Sequence, residues 1–177
     1  MDYELQPYGK TARYDNMMVT ITEKLDGTNG CVVVQDGVVV GAQSRKRKIK
    51  VGDDNFAFAG YIENNKDELT TLGDGYHYGE WCGPGIQQNP HNLTEKTFFL
   101  FNTFRPADTL PSCVKNVPIL FQGEFEGNDQ LDQIMSDLVV SAAESGYKPE
   151  GVIVYFHGFR SLAKYTFQNN ASKWTLS

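Results

Sequence analysis

Cysteine is scarce in this chain, and several other markers that would place it early are absent. Its three cysteines, Cys31, Cys82 and Cys113, are odd in number and widely separated. That excludes a disulfide framework and a zinc-ligand spacing, and predicts free thiols in a reducing compartment. The three histidines, His77, His91 and His157, also lack metal-ligand spacing and read as surface or structural side chains. No apolar run reaches the roughly eighteen residues of a transmembrane helix. Met1-Asp2-Tyr3-Glu4 has neither the basic nor the apolar region of a secretory signal, so a cytoplasmic protein without a membrane partner is expected. Cations are the minority charge, 16 Lys and Arg against 22 Asp and Glu, for a net charge of −6. An acidic total excludes nucleic-acid binding through the overall field but leaves room for a local basic site. No repeat, low-complexity stretch or linker interrupts the 177 residues, so residues 1–177 are expected to form a single domain and a monomer.

What is present is an ordinary globular composition, 40% hydrophobic, with abundant aromatics at 12%. Val19 to Lys24 alternates apolar and polar residues as a half-buried strand does. Two valine-rich runs, Cys31–Gln35 and Val38–Gln43, flank Asp36-Gly37 and predict a hairpin with a tight primed turn. A helix is expected from Asp53 or Asp54 to about Asn65, with Phe56, Ala59 and Gly60 on one face. Tyr76–Trp81, Lys96–Phe104 and Val117–Phe125 read as strands, the first two separated by a Gly/Pro/Asn-rich loop around Gly83–His91. The clearest helix runs from about Asp129 to Ser145. Leu131, Ile134, Met135, Leu138, Val139 and Ala142 recur there at helical spacing, and Gly146 is placed to end it. Val152–Phe156 and Ser161–Phe167 close the pattern as a strand pair across His157-Gly158. Antiparallel sheets with a few flanking helices make this an α+β domain.

The residues that carry chemistry begin with Lys24, in Glu23-Lys24-Leu25-Asp26-Gly27-Thr28-Asn29-Gly30. A lysine that attacks phosphorus must be a neutral amine, which costs about 4.6 kcal/mol at pH 7 for an ordinary lysine. Nearby cations or a metal must lower that cost. A triphosphate needs further positive charge and a divalent ion, and the ion needs carboxylate oxygens. Separated glutamates, cations and an aromatic platform are therefore required, and the chain supplies each. Arg45-Lys46-Arg47-Lys48-Ile49-Lys50 places five cations in six positions. Glu80 follows Tyr78-Gly79, Phe98-Phe99-Leu100-Phe101-Asn102 is an aromatic strand, Glu150-Gly151-Val152 opens another, and Lys164 lies in Leu162-Ala163-Lys164-Tyr165-Thr166.

Taken in order, these segments resemble the motifs of the covalent nucleotidyltransferase superfamily, and most closely its phage-type, ATP-dependent RNA ligases of the nick-sealing branch. The likeness runs from residue 24 to residue 164 and implies an ATP-grasp-like nucleotidyltransferase domain of the ligase type. It implies ATP and Mg²⁺ or Mn²⁺ as cofactors, an AMP adduct on Lys24, and sealing of a 5′-phosphate to a 3′-hydroxyl at RNA ends or in a nicked duplex, as in RNA repair. The nucleotide site would comprise Glu23, Asp26, Gly27, Asn29, Arg45, Glu80, Phe101, Glu150 and Lys164. Glu80 would bind the ribose, Phe101 would stack on adenine, Glu150 would support the metal, and Asp26 would shape the loop. Arg45, Lys46, Arg47 and Lys48 are the candidates for touching RNA.

Two departures stand out. The last motif usually has two lysines one residue apart, and only Lys164 is here, with Leu162 and Thr166 flanking it and Arg160 or Lys173 as possible substitutes. Thirteen residues follow Lys164, too few for the family's usual C-terminal RNA-binding domain. Three alternatives remain: a DNA ligase, a GTP-dependent capping guanylyltransferase of the same superfamily, and a non-catalytic module that binds nucleotide or RNA ends.

Overall fold

The computed structural model describes residues 17–167. Its elements are β1 (Met18–Glu23), β2 (Thr28–Gln35), β3 (Val38–Ser44), β4 (Lys48–Ile49), α1 (Phe58–Asn64), α2 (Lys66–Leu69), β5 (Gly75–Cys82), β6 (Thr97–Leu100), β7 (Val114–Asn116), β8 (Ile119–Glu124), α3 (Asn128–Glu144), β9 (Gly151–Phe156) and β10 (Ser161–Thr166). They form two sheets, in the orders β10-β9-β1-β8 and β4-β3-β2-β5-β6-β7. Every pairing is antiparallel except β6 with β7. The α+β expectation is borne out.

Strand alternation gives each sheet one apolar face. In the first sheet Val19, Ile21, Val152 and Val154 pack under Leu131, Met135 and Leu138 of α3. In the second, Val32, Val34, Trp81, Phe98 and Leu100 pack against Phe58, Ala59 and Ile62 of α1 and against Leu69 and Leu72 beyond it. The Phe58 ring lies 5.2 Å from Trp81 and 5.0 Å from Phe98. That close layer requires glycine on the strands: a Cβ on Gly30 would meet the Phe58 ring at 2.5 Å, and one on Gly79 the Phe99 carbonyl at 2.3 Å. The opposite faces of the two sheets are left to line a cleft.

The local signals are realised closely. Asp36 and Gly37 both have positive φ, 52° and 71°, as a two-residue primed turn requires. Asp74 reinforces the turn by accepting their two backbone N–H groups at 3.1 and 2.9 Å. α3 buries Leu131, Met135, Leu138 and Ala142. It ends with Gly146 at φ 75°, where the N–H of Gly146 reaches the Ala143 carbonyl and that of Tyr147 the Ala142 carbonyl, a Schellman closure.

Four expectations are corrected. Val139 is 43% exposed and not core, because it lies about 80° from Leu131 around the helix, at the edge of the stripe. The first helix begins at Phe58, since Phe56 and Ala57 take positive φ (54° and 65°) and interrupt it. Asp54 still caps it, accepting from the N–H groups of Ala59 and Gly60 at 2.8 and 3.1 Å, while the detour turns the Phe56 carbonyl toward Trp81 Nε1 at 3.1 Å. Its buried face is Phe58, Ala59 and Ile62, and Phe56 is exposed. Finally, the strand expected over Lys96–Phe104 stops at Leu100, and the short parallel β7 was not foreseen.

Candidate active site

Glu23 ends β1 and Lys24 follows it directly, and the two do opposite things. Glu23 pairs with Val152 of β9 and is 5% exposed. Its carboxylate accepts from His91 Nε2 at 2.8 Å and from the Tyr147 hydroxyl at 3.0 Å. Burial, with the Glu23 charge and hydrogen bond adding to it, pushes the Tyr147 phenol up to about 12. Lys24 holds the strand by donating its backbone N–H to the Gly151 carbonyl at 2.9 Å. Its ammonium is ion-paired with the Glu150 carboxylate, the side chains 22% and 38% exposed.

Gly27 follows where the chain presses onto β5. A Cβ there would lie 2.6 Å from the Trp81 carbonyl, 2.7 Å from Cys82 Sγ and 2.9 Å from Glu80 Cγ. Asn29 of β2 faces Glu80 of β5 in register and donates from Nδ2 to Glu80 Oε2 at 2.8 Å. Burial raises the Glu80 carboxyl to about 7. The Lys24 charge and the Asn29 bond oppose that rise, the Glu150 charge adds to it, and the Gly27 N–H opposes it. Asp26 accepts the Gln88 N–H at 3.3 Å and so ties down the loop before β6.

The cleft between the sheets has a volume of about 980 Å³ and is lined by Lys24, Asn29, Arg45, Glu80, Phe101, Glu150 and Lys164 among others. Glu23 and Gly27 also contribute to its wall. Phe101 is 43% exposed, so its ring is free to stack. Phe99 packs instead against Leu25, Cys82 and Val117. Phe104 lines the cleft too, with its ring edge-on to Tyr155 and His157 at 6.3 and 5.3 Å.

The basic cluster divides. Arg45 reaches the cleft, but Lys46, Arg47 and Lys48 do not line it. Arg47 pins the following turn, donating from Nη1 to Asp53 Oδ1 at 2.7 Å and from Nη2 to the Asp54 carbonyl at 3.0 Å. In β10, Lys164 and Leu162 lie opposite Ile153 and Tyr155 and both line the cleft. Thr166 is buried, Arg160 is in the preceding turn and off the cleft wall, and Lys173 lies outside the described residues. Cys82 is a packed thiol, raised to about 12 by burial first.

Tyr76, Tyr78 and Tyr155 also line the cleft and were not singled out from the sequence. Alternation outward from Glu80 would have found the first two. The contacts of His91 and Tyr147 with Glu23 had no such signal, since they join loops far apart in the chain.

No cluster of three or more His, Cys, Asp or Glu that would hold a metal occurs among the described residues. Mg²⁺ or Mn²⁺ bound with a nucleotide needs only one or two carboxylates, phosphate oxygens and water completing the shell. Glu150, with Glu80 beside the same lysine, fits that requirement.

Two sheets enclosing a lysine-bearing cleft place the domain in the nucleotidyltransferase fold of ligases. Solved structures of Naegleria gruberi RNA ligase variants share it. One with ATP and Mn has a TM-score of 0.65 at 20% identity, covering 86% of this chain and 50% of that one. Another, with AMP and Mn, has a TM-score of 0.63 at 18% identity, covering 86% and 50%. The chain thus spans about half the length of those ligases. Residues 17–166 match the RNA ligase family, and the chain belongs to it. No curated protein matches it. Among the described residues no helix is long and apolar enough to cross a membrane.

Proposed function

We propose that this chain is the adenylyltransferase domain of an ATP-dependent RNA ligase, a single domain that works in the cytoplasm as a monomer. The supporting observation is that Lys24, Arg45, Glu80, Phe101, Glu150 and Lys164, spread over most of the sequence, line one cleft. Phe101 stacks on adenine, Glu80 holds the ribose, and Arg45 and Lys164 contact phosphate. The Lys24 amine, its proton given up to solvent, attacks the α-phosphorus. An N–P bond forms, the P–O bond to the β-phosphate breaks, and pyrophosphate leaves. Mg²⁺ or Mn²⁺ held at Glu150 would neutralise charge on the triphosphate. An RNA 5′-phosphate oxygen then attacks the lysyl adenylate phosphorus, breaking the N–P bond and giving a 5′–5′ anhydride. The 3′-hydroxyl finally attacks the 5′-phosphorus, AMP leaves, and the strand is sealed.

Incubation with labelled ATP and Mg²⁺ or Mn²⁺ is expected to give an acid-labile, base-stable adduct of AMP mass that Lys24→Ala loses. No adduct with any nucleotide or metal would overturn the catalytic reading. A GMP adduct formed in preference to AMP would indicate a capping enzyme, and sealing of DNA 3′-hydroxyl nicks over RNA ones a DNA ligase. One observation favours the non-catalytic alternative: Leu162, 70% exposed on the cleft wall, stands where a second cation would fall two residues before Lys164. That alternative expects ATP binding without covalent modification.

A further inference from the structure

β5 carries more than Glu80 into the cleft. By alternation Tyr76 and Tyr78 share the Glu80 face, while Gly79 and Trp81 face the core. Both tyrosines line the cleft and are 62% and 54% exposed. Their rings are nearly parallel, 17° between planes with centroids 6.4 Å apart. Neither belongs to any of the three apolar clusters among the described residues. Two large rings held side by side in an open cleft, outside the packed core, are a binding feature before they are a stabilising one.

We propose that Tyr76 and Tyr78 form a stacking platform for unpaired bases at the end of the RNA substrate. The proposal rests on the ligase reading and extends it by naming what the outer cleft receives. Three observations select this occupant. At about 3.3 Å per residue, Tyr78 and Tyr76 lie about 7 and about 13 Å along the strand from Glu80, just past the position assigned to the ribose. Arg45 lines the same cleft and can meet a phosphate between stacked bases. The chain's net charge of −6 leaves little long-range attraction for RNA, whereas stacking on an aromatic face needs no net charge and tolerates any base. Single-stranded ends present such bases and an intact duplex does not.

The test uses the full chain and pairs two measurements. Affinity is read by fluorescence anisotropy on a 5′-phosphorylated single-stranded RNA and on a fully paired nicked duplex. Adduct formation is read with labelled ATP. Replacing both tyrosines by alanine is expected to weaken binding of the single strand about 30-fold, about 2 kcal/mol. The loss should exceed any change in ATP adduct formation at least tenfold. The salt dependence of binding should keep its slope, because no phosphate contact is removed. Replacing both by phenylalanine keeps the rings and should keep the affinity, which guards against a fold defect in the alanine variant. Unchanged affinity in the alanine variant would overturn the platform. So would an equal loss on the paired duplex. A parallel rise in the ATP concentration needed for adduct formation would assign the rings to adenine instead. If the wild-type chain forms no adduct, the ligase reading fails separately, and the RNA measurements still decide the platform.

Discussion

Glu80→Gln tests how the cleft wall is built. Burial lifts the Glu80 carboxyl from 4.5 to about 7, against the Lys24 charge and the Asn29 hydrogen bond. A carboxyl whose folded pKa exceeds its unfolded value binds more protons in the folded state, so stability falls as pH rises between the two. That contribution is fully present below pH 4.5 and is lost as pH passes through about 7. At about 1.4 kcal/mol per pH unit, the rise amounts to about 3 kcal/mol. Solvent in the open cleft screens this to about 2 kcal/mol. Glutamine does not titrate, yet its carbonyl can still accept from Asn29. Relative to wild type, Glu80→Gln should therefore gain about 2 kcal/mol between about pH 4.5 and about pH 8.

The comparison across pH removes effects that do not titrate, such as a weakened bond from the Gly27 N–H. Urea unfolding at each pH, extrapolated linearly to water, supplies the stabilities. A variant-minus-wild-type difference that stays flat across the range, or that turns against the variant at high pH, would refute burial as the dominant influence on this carboxyl.

Gly27→Ala should cost about 1–3 kcal/mol by overpacking and sharply reduce adduct formation, because its Cβ would displace the Trp81 carbonyl or Glu80. Gly41→Ala, where a Cβ meets nothing within 4 Å, is the control and should melt within a few degrees of wild type. Tyr147→Phe removes a donor from a buried carboxylate and should cost about 2 kcal/mol in denaturant unfolding. Leu162→Lys places a second cation on the cleft wall beside Lys164, and should raise the rate of AMP adduct formation several-fold at limiting ATP, measured with the same label.

What was legible in the sequence was what short-range chemistry decides. Asp36-Gly37 names its own turn, because both residues tolerate positive φ. The stripe from Leu131 to Ala142 and the stop at Gly146 define α3 without reference to the rest of the fold. Of the candidate site residues named from the motifs, the cleft gathers Glu23, Lys24, Gly27, Asn29, Arg45, Glu80, Phe101, Glu150 and Lys164, and leaves Asp26, Lys46, Arg47 and Lys48 off its wall. The start of α1 was not legible, since Phe56 and Ala57 take positive φ where the Phe56 carbonyl meets Trp81, twenty-five residues on. Nor was β7, whose parallel pairing to β6 depends on the long connection between them. The partners of Glu23 come from the loop before β6 and the turn after α3, and no local pattern links them. Tyr76 and Tyr78 were legible in principle: two-residue alternation from Glu80 places them in the cleft once that glutamate is assigned.

Glu23 and Lys24 are held in contrasting ways. A carboxylate with a 4% exposed side chain and two donors is costly to disturb, because either donor's loss leaves a buried charge short of partners. Glu23 therefore fixes the end of β1 against the loop bearing His91 and the turn after α3. Lys24 is held differently. Its ion pair with Glu150 is partly open to solvent, and such pairs contribute no more than about 1 kcal/mol. An ammonium in that pair has no lone pair to offer phosphorus. Under the proposed function, a nucleotide's phosphates and their counterion would bring charge that competes for both partners at once. Exchanging so weak a contact costs little, while the backbone beneath it stays in place. Glu23 is thus a rigid anchor, and Lys24, the nucleophile of the proposed function, is held beside it by a contact that can be exchanged.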